Sequence, residues 1–363
     1  MTRGTDDPVT MGAATTPRAR IVFEAEITPG MVPGEFIDLA RLTEQAGFDR
    51  LGVSDVVLWP DAYMLQALAA QATRQILIGS VVANPYTRHP VVHAAAVATL
   101  QELSGGRAFL GLGAGAGLED IGVAPDRPLR TLREAVTVIT SLLAGETVEH
   151  RGEVLTLAGA RLMVPPASRV PVAIGTRSPR IARLAGEVAD FALIGARFFT
   201  ADLASRYRGW VTDGASRTGR SPDDVQIAPR VTLCVSEDGS LARSAVKRYA
   251  AHYLEILGDD VPGVSPSRRE AIRGALRRST GWYFDHHRHD DPELERLVDD
   301  ELVAASAIAG TPRECAGRVR ALLALGFTAV SCNLVAVRRP GNTMADGLRE
   351  TLEGAAQVVA SFR

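Results

Sequence analysis

Along this chain a short apolar run followed by a stretch of helical spacing recurs until eight such runs have passed, and that alternation limits the fold more than anything else. The runs are "RIVFEAEI", "FDRLGVSD", "QILIGSVVA", "RAFLGLGAGAG", "VPVAIG", "DFALIG", "APRVTLCVS" and "FTAVSCNLV". Between them lie segments such as "GEFIDLARLTEQAG" and "PVVHAAAVATLQELSGG", whose apolar residues recur at helical spacing and whose ends carry glycine. Short apolar strands joined through helices pair in parallel and are covered on both faces. Eight is the number that closes a (β/α)8 TIM barrel, so an α/β barrel is the predicted fold. A small hairpin is expected about Arg151-Gly152. The charged stretch of about 253–300 is predicted to be a helical insertion before the last unit, lying over the barrel mouth as a lid or packed at its edge. Residues 1–19 read as a loose tail and 20–363 as one domain.

The barrel reading fixes where chemistry should sit, because sites in this fold form at the C-terminal ends of the strands. That rule collects Glu26, Ser54, Asp55, Ser80, Val81, Gly113 to Gly117, Gly175 to Ser178, Ile194 and Gly195. Glu26 breaks an apolar strand, so it is either paired structurally or placed for catalysis or cofactor contact. In "IGSVVANPYTRHP" the Gly79-Ser80 pair interrupts a β-branched strand just before a polar loop, which marks an irregularity there. "GLGAGAG" (111–117) is not a dinucleotide fingerprint, since Ala116 stands where the last glycine would be. Its small residues suit a tight loop or a close approach to a flat or anionic ligand. Thr176, Arg177 and Ser178 precede Pro179 at a helix start, where exposed N–H groups and the Arg177 charge favour an anion. Ser178 is the expected cap of that helix.

Composition excludes several classes. The net charge of −2 argues against nucleic acid as a partner, and no apolar run reaches membrane-spanning length. Lys247 is the single lysine, which reads as the GC-rich coding bias of an actinobacterial source. Cys234, Cys315 and Cys332 form no disulfide or metal pattern and predict the reducing cytoplasm. Cys332 is expected to be a buried, inert thiol. No metal site is expected, and "DHHRHDD" (285–291) reads as a solvated charged face.

Taken together, "FEAEITP", "EQAGFDRLGVSD", "GSVVANPYTRHP", "ELSGGRAFLGLGAG", "LLAGETVEHRGE", "ARLAGEVAD" and "SAIAGTPRECAGRV" resemble the luciferase-like monooxygenase superfamily. Within it the chain is similar to the 5,10-methylenetetrahydromethanopterin reductase branch, which uses coenzyme F420. The resemblance implies a strand-three bulge with a non-prolyl cis peptide backing the deazaflavin, expected at Ser80–Val81. It implies Glu26 and Asp55 as catalytic acids. It implies Ser80, Val81, Gly113, Ala114, Gly115, Gly175, Thr176, Arg177 and Ser178 as cofactor contacts. It further implies an oxidoreductase passing hydride between F420 and a small organic substrate, with FMN-dependent monooxygenase chemistry or a non-catalytic cofactor-binding barrel as alternatives. A homodimer or higher homo-oligomer is expected. Val56 and Ala116 stand where the branch carries a histidine and an acidic residue, which points to a more apolar substrate than a pterin, for instance in specialised metabolism.

Overall fold

The computed structural model describes residues 20–197, 200–257, 264–278 and 292–363. The expected tail and the 285–291 cluster lie outside those residues. The first strands and helices alternate as β1 (Val22–Ile27), α1 (Pro33–Gln45), β2 (Arg50–Val53), α2 (Ala62–Ala72), β3 (Leu77–Ser80), α3 (Pro90–Leu103), β4 (Ala108–Leu112) and α4 (Pro128–Leu143). A hairpin of β5 (Val148–Arg151) and β6 (Thr156–Ala160) follows, then β7 (Val172–Thr176), α5 (Pro179–Val188), β8 (Phe191–Ile194) and α6 (Ala201–Arg217). The long β9 (Gln226–Val235) leads to α7 (Gly239–Leu257), α8 (Pro266–Arg278), α9 (Pro292–Leu297), α10 (Asp300–Ser306) and β10 (Ala307–Gly310). The chain ends with α11 (Pro312–Leu323), β11 (Ala329–Leu334) and α12 (Met344–Ala360).

Strands β1, β2, β3, β4, β7, β8, β9 and β11 pair in parallel and close on themselves, giving the (β/α)8 barrel. Closure falls on β9, whose first half pairs with β8 and whose second half pairs with β11. β10 was not legible as a strand: "SAIAG" is short and alanine-rich, and it holds its place by pairing with β9 beyond the reach of β8. The excursion from the barrel is accordingly longer than 253–300, running from Gly239 to Gly310. Its described parts stand at the C-terminal mouth. Tyr249 and Tyr253 of α7 share an apolar cluster with Val335 and Val337 beyond β11, and Val56 and Trp59 beyond β2 pack against it.

The strands obey a period of two. Phe23, Ala25 and Ile27 join the core beneath the helices, leaving Glu24 and Glu26 to face the interior. The interior floor is apolar, made by Val81, Phe109, Ala173, Leu193, Ala228 and Ala329. Glycine is needed where the wall is tightest: a Cβ on Gly111 would lie 2.0 Å from the Ser80 carbonyl oxygen. Gly111→Ala is expected to lower stability by about 1–3 kcal/mol, the usual cost of forcing a packed wall apart. Gly209→Ala, on α6 where a Cβ meets nothing within 4 Å, should instead gain about 0.5–1 kcal/mol. Equilibrium denaturation of the two variants checks both signs.

Candidate active site at the barrel mouth

The β3 irregularity is a bulge. β3 and β4 pair at Gly79 and Phe109 and meet again at Ala83 and Leu112, so β3 advances four residues where β4 advances three. The cis peptide lies at Val81–Val82, one residue beyond the expected Ser80–Val81. A slip of one residue in a strand exchanges faces. Ser80 is consequently taken up by the wall, its Oγ donating to the Gly111 carbonyl at 2.8 Å and accepting from the Gly111 amide at 3.2 Å. Val81 points into the lumen, where a Cβ on Gly52 would come within 2.3 Å of its Cγ2. Val82, which the sequence reading passed over, is the half-buried residue at the mouth. Its methyl groups lie where a Cβ on Gly113 or Gly175 would be, at 2.6 and 2.8 Å. Those two glycines are thus required by Val82 itself, whatever else approaches them.

The loop "NPYTRHP" holds this bulge in place. Asn84 Oδ1 accepts from the Tyr86 and Thr87 amides, both at 3.0 Å, folding the loop back on itself. The Asn84 carbonyl lies 2.8 Å from His93 Nε2, and His93 Nδ1 lies 2.7 Å from the Tyr63 hydroxyl. A carbonyl only accepts, so Nε2 carries the proton, Nδ1 is the acceptor and Tyr63 donates to it. Burial holds His93 neutral, lowering its pKa to about 4. Arg88 pairs with Asp61, the N-cap of α2, and lies over the Tyr63 ring.

Opposite Val82 the mouth is polar. Glu26 receives Ser54 Oγ on Oε1 at 2.8 Å and Arg230 of β9 on Oε2. Thr232 and Asn333 alternate with outward-facing neighbours on β9 and β11, and Asn333 registers with both Glu26 and Thr232. The buried atoms Thr232 Oγ1, Asn333 Oδ1 and Asp55 Oδ2 have no hydrogen-bond partner among the described residues. Burial raises the Asp55 pKa above the usual aspartate value, with Arg88 opposing. Arg230, Thr232 and Asn333 were missed in the sequence, although a polar residue at every second place of an apolar strand was the available signal.

Across the mouth, at β7 and β8, the surroundings are cationic. Thr176 Oγ1 accepts from the Ser178 amide at 2.9 Å, and Ser178, although it is the N-cap of α5, makes no side-chain cap. The expected Ser178 cap is thus corrected: Thr176 bonds the Ser178 amide while α5 starts on Pro179. Arg177 is exposed at the mouth. Burial lowers the His252 pKa to about 4, helped by Arg177, Arg197 and Arg248 nearby. Ala114 is half-buried, while Gly115 and Ala116 are exposed, with Gly115 at φ +83°. Cys332 faces the outer core with its thiol pKa pushed up by burial, as expected of an inert residue. Among the described residues no helix is long and apolar enough to cross a membrane.

A family model described as luciferase-like monooxygenase matches residues 11–329. The 5,10-methylenetetrahydromethanopterin reductase of Methanolobus tindarius is 31% identical over 315 residues, covering 85% of this chain and 93% of its own length. An F420-dependent glucose-6-phosphate dehydrogenase of Microbacterium testaceum is 29% identical, over 81% of this chain and 85% of its own. Among solved structures, the coenzyme F420 dependent tetrahydromethanopterin reductase from Methanopyrus kandleri aligns with a TM-score of 0.82 at 25% identity, covering 95% of this chain and 100% of that one.

The histidine behind the bulge gives a pH signature. Folded His93 has a pKa of about 4 against 6.5 for the free side chain. The unfolded chain therefore binds the extra proton between those values, and stability falls as pH drops from about 6.5 towards 4. One such histidine is worth on the order of 3 kcal/mol across that window. His93→Gln keeps a donor and an acceptor but cannot titrate. Its melting temperature should decline less steeply than wild type between pH 6.5 and 4.5 in calorimetry.

Proposed function

Because the chain belongs to the luciferase-like monooxygenase family, we propose that it is an F420-dependent oxidoreductase moving a hydride between the deazaflavin and a small organic substrate. The observation that carries this reading is the division of the mouth into an apolar shelf and a polar wall. Val82, between Gly113 and Gly175, offers a flat apolar backing for a ring. Facing it, the unpartnered Asn333 Oδ1, Thr232 Oγ1 and Asp55 Oδ2 are buried polar atoms that a polar ligand would satisfy. Thr176, Arg177 and Ser178, with Arg248 nearby, suit the phosphate side of such a cofactor. The residues fit the group. Three curated relatives bearing the name 5,10-methylenetetrahydromethanopterin reductase, and others named F420-dependent glucose-6-phosphate dehydrogenase, support the same choice.

When bound, F420 supplies a ring carbon that gives or takes a hydride. The chain's own residues bind, orient and handle the proton. Both Glu26 oxygens are occupied by Ser54 and Arg230, so Glu26 positions Arg230 at the mouth. Asp55 keeps one buried oxygen without a partner and a raised pKa, which suits it to exchange the proton that accompanies hydride at a substrate oxygen or nitrogen. Val56 and the exposed Ala116 add apolar side chains beside that polar wall, which favours a less polar substrate than a pterin or a sugar phosphate.

Titrating the purified protein with F420 and with FMN, read by fluorescence quenching, tests the cofactor. F420 should bind saturably and FMN much more weakly; the reverse order would overturn the reading in favour of a flavin monooxygenase. Arg177→Ala should weaken F420 by about 1.5–3 kcal/mol, the range for hydrogen bonds to charged groups.

The two acids should separate. Asp55→Asn is expected to retain F420 affinity and cut turnover by about 10²–10⁴-fold, the usual contribution of a positioned acid or base. In wild type the oxidising direction should gain rate as pH rises through the raised Asp55 pKa, because only the carboxylate accepts a proton. Glu26→Gln breaks the pair with Arg230 and should raise KM while leaving that pH limb in place. Steady-state kinetics across pH distinguishes them.

A further inference from the structure

A second cavity lies on the outer side of the barrel wall and reaches the rim of the mouth only at Arg197. Its volume is about 1000 Å³, and its walls come from the start of α6, from α10 and from α11, over a floor that includes Val231 and Ile308. That volume is at the upper end for ligand sites. Most of the lining is apolar, with Val303, Leu322 and Leu325 joining the floor residues. Its charges are unevenly matched. Asp300 and Glu314 are both bridged by Arg243, at 3.0 and 3.6 Å. The two other lining guanidiniums, Arg197 and Arg318, form no ion pair with the described residues.

Arg197 is the more telling of the two. It is only 6% exposed, yet its Nε and Nη1 have no hydrogen-bond partner among the described residues. Its Nη2 donates to the Tyr253 hydroxyl at 2.7 Å, and the guanidinium lies 4.4 Å from the Tyr253 ring centroid. Those contacts fix the group without neutralising it. Arg318 donates to the Ala304 carbonyl and leaves a buried Nε unpartnered. A guanidinium with no counterion and with buried N–H groups left unpartnered is unfavourable unless something anionic meets it.

We propose that this lateral cavity binds an amphipathic monocarboxylate, its carboxylate held by Arg197 and Arg318 and its apolar body lying along Ile308, Leu322 and Leu325. A carboxylate accepts several N–H bonds in a plane, which matches guanidinium donors. The apolar lining excludes a small hydrophilic anion as the best occupant. Arg197 stands on the rim of the mouth, but the rest of the lining belongs to α10, α11 and the outer face of β9 and β10, so the proposal does not depend on which cofactor the mouth holds.

Isothermal titration with sodium decanoate, 1-decanol and sodium acetate tests it on the full chain. Decanoate should bind at one saturable site, with decanol and acetate each at least about tenfold weaker, the scale of a lost charged hydrogen bond. Arg318→Met should weaken decanoate by about tenfold and leave decanol unchanged. Ala321→Trp, placed on the exposed side of the lining, should fill the cavity and abolish decanoate binding without loss of fold, checked by thermal melting. Absence of saturable decanoate binding would overturn the proposal. So would equal affinity for decanol, or decanoate binding unaltered by both variants and displaced by F420, which would assign the fatty anion to the mouth.

Discussion

A carboxylate enclosed by a barrel must be met by cations and donors or remain protonated, and two such carboxylates from one strand organise this interior. Glu24 accepts Ser331 Oγ at 2.6 Å and lies 4.0 Å from Arg50. Burial still dominates there, raising the Glu24 pKa against the opposing pull of Arg50. One pleat higher, Glu26 is held by Ser54 and Arg230. The partners come from β2, β9 and β11, so β1 is joined to strands near both ends of the chain. Such pairs contribute little net stability, but breaking one leaves a buried charge uncompensated at about 3–5 kcal/mol. Their effect is to fix register: moving β1 by one residue would send both acids into the outer core and Phe23 into the lumen.

Above that ionic layer the wall changes character around its circumference. On the β3, β4 and β7 side, one extra residue in β3 turns Val82 upward, and glycine at 113 and 175 gives its methyl groups room. On the β1, β2, β9 and β11 side, side chains bring carboxylate, guanidinium, hydroxyl and amide groups to the same level. An apolar face opposite a polar one can seat a planar heterocycle and a reacting group against it. The asymmetry follows from residue size on one side and from strand alternation on the other.

The described parts of the excursion between β9 and α11 complete the rim. They rest on the loop after β2, where Val56 and Trp59 meet their apolar cluster, and Arg197 reaches Tyr253 from the end of β8. Loop and excursion therefore share a core, so the rim residues of that loop are also packing residues. Trp59 in turn presses on Gly30, where an added Cβ would come within 2.3 Å of the indole. The rim is consequently a packed structure from several strand ends, consistent with a site whose shape is set before a ligand arrives.

The local pattern determined much of this protein. Alternating apolar strands and helices lead to an eight-stranded parallel barrel, and the polar breaks at Glu26, Asp55 and Gly79-Ser80 mark its C-terminal mouth, because period and turn chemistry are local properties. Other features are set by contacts distant in sequence. The bulge sits one residue late, since the space that selects Val82 belongs to Gly113 and Gly175 on other strands. Arg230 and Asn333 join the site only because β9 and β11 flank β1 after closure. β10 is a strand only because β9 outruns β8 and offers it an edge. The sequence by itself determined the eight barrel strands and which end carries the chemistry; tertiary structure alone decided that β10 forms and which side chains meet, because burial, free space and pairing arise only once distant strands share a wall.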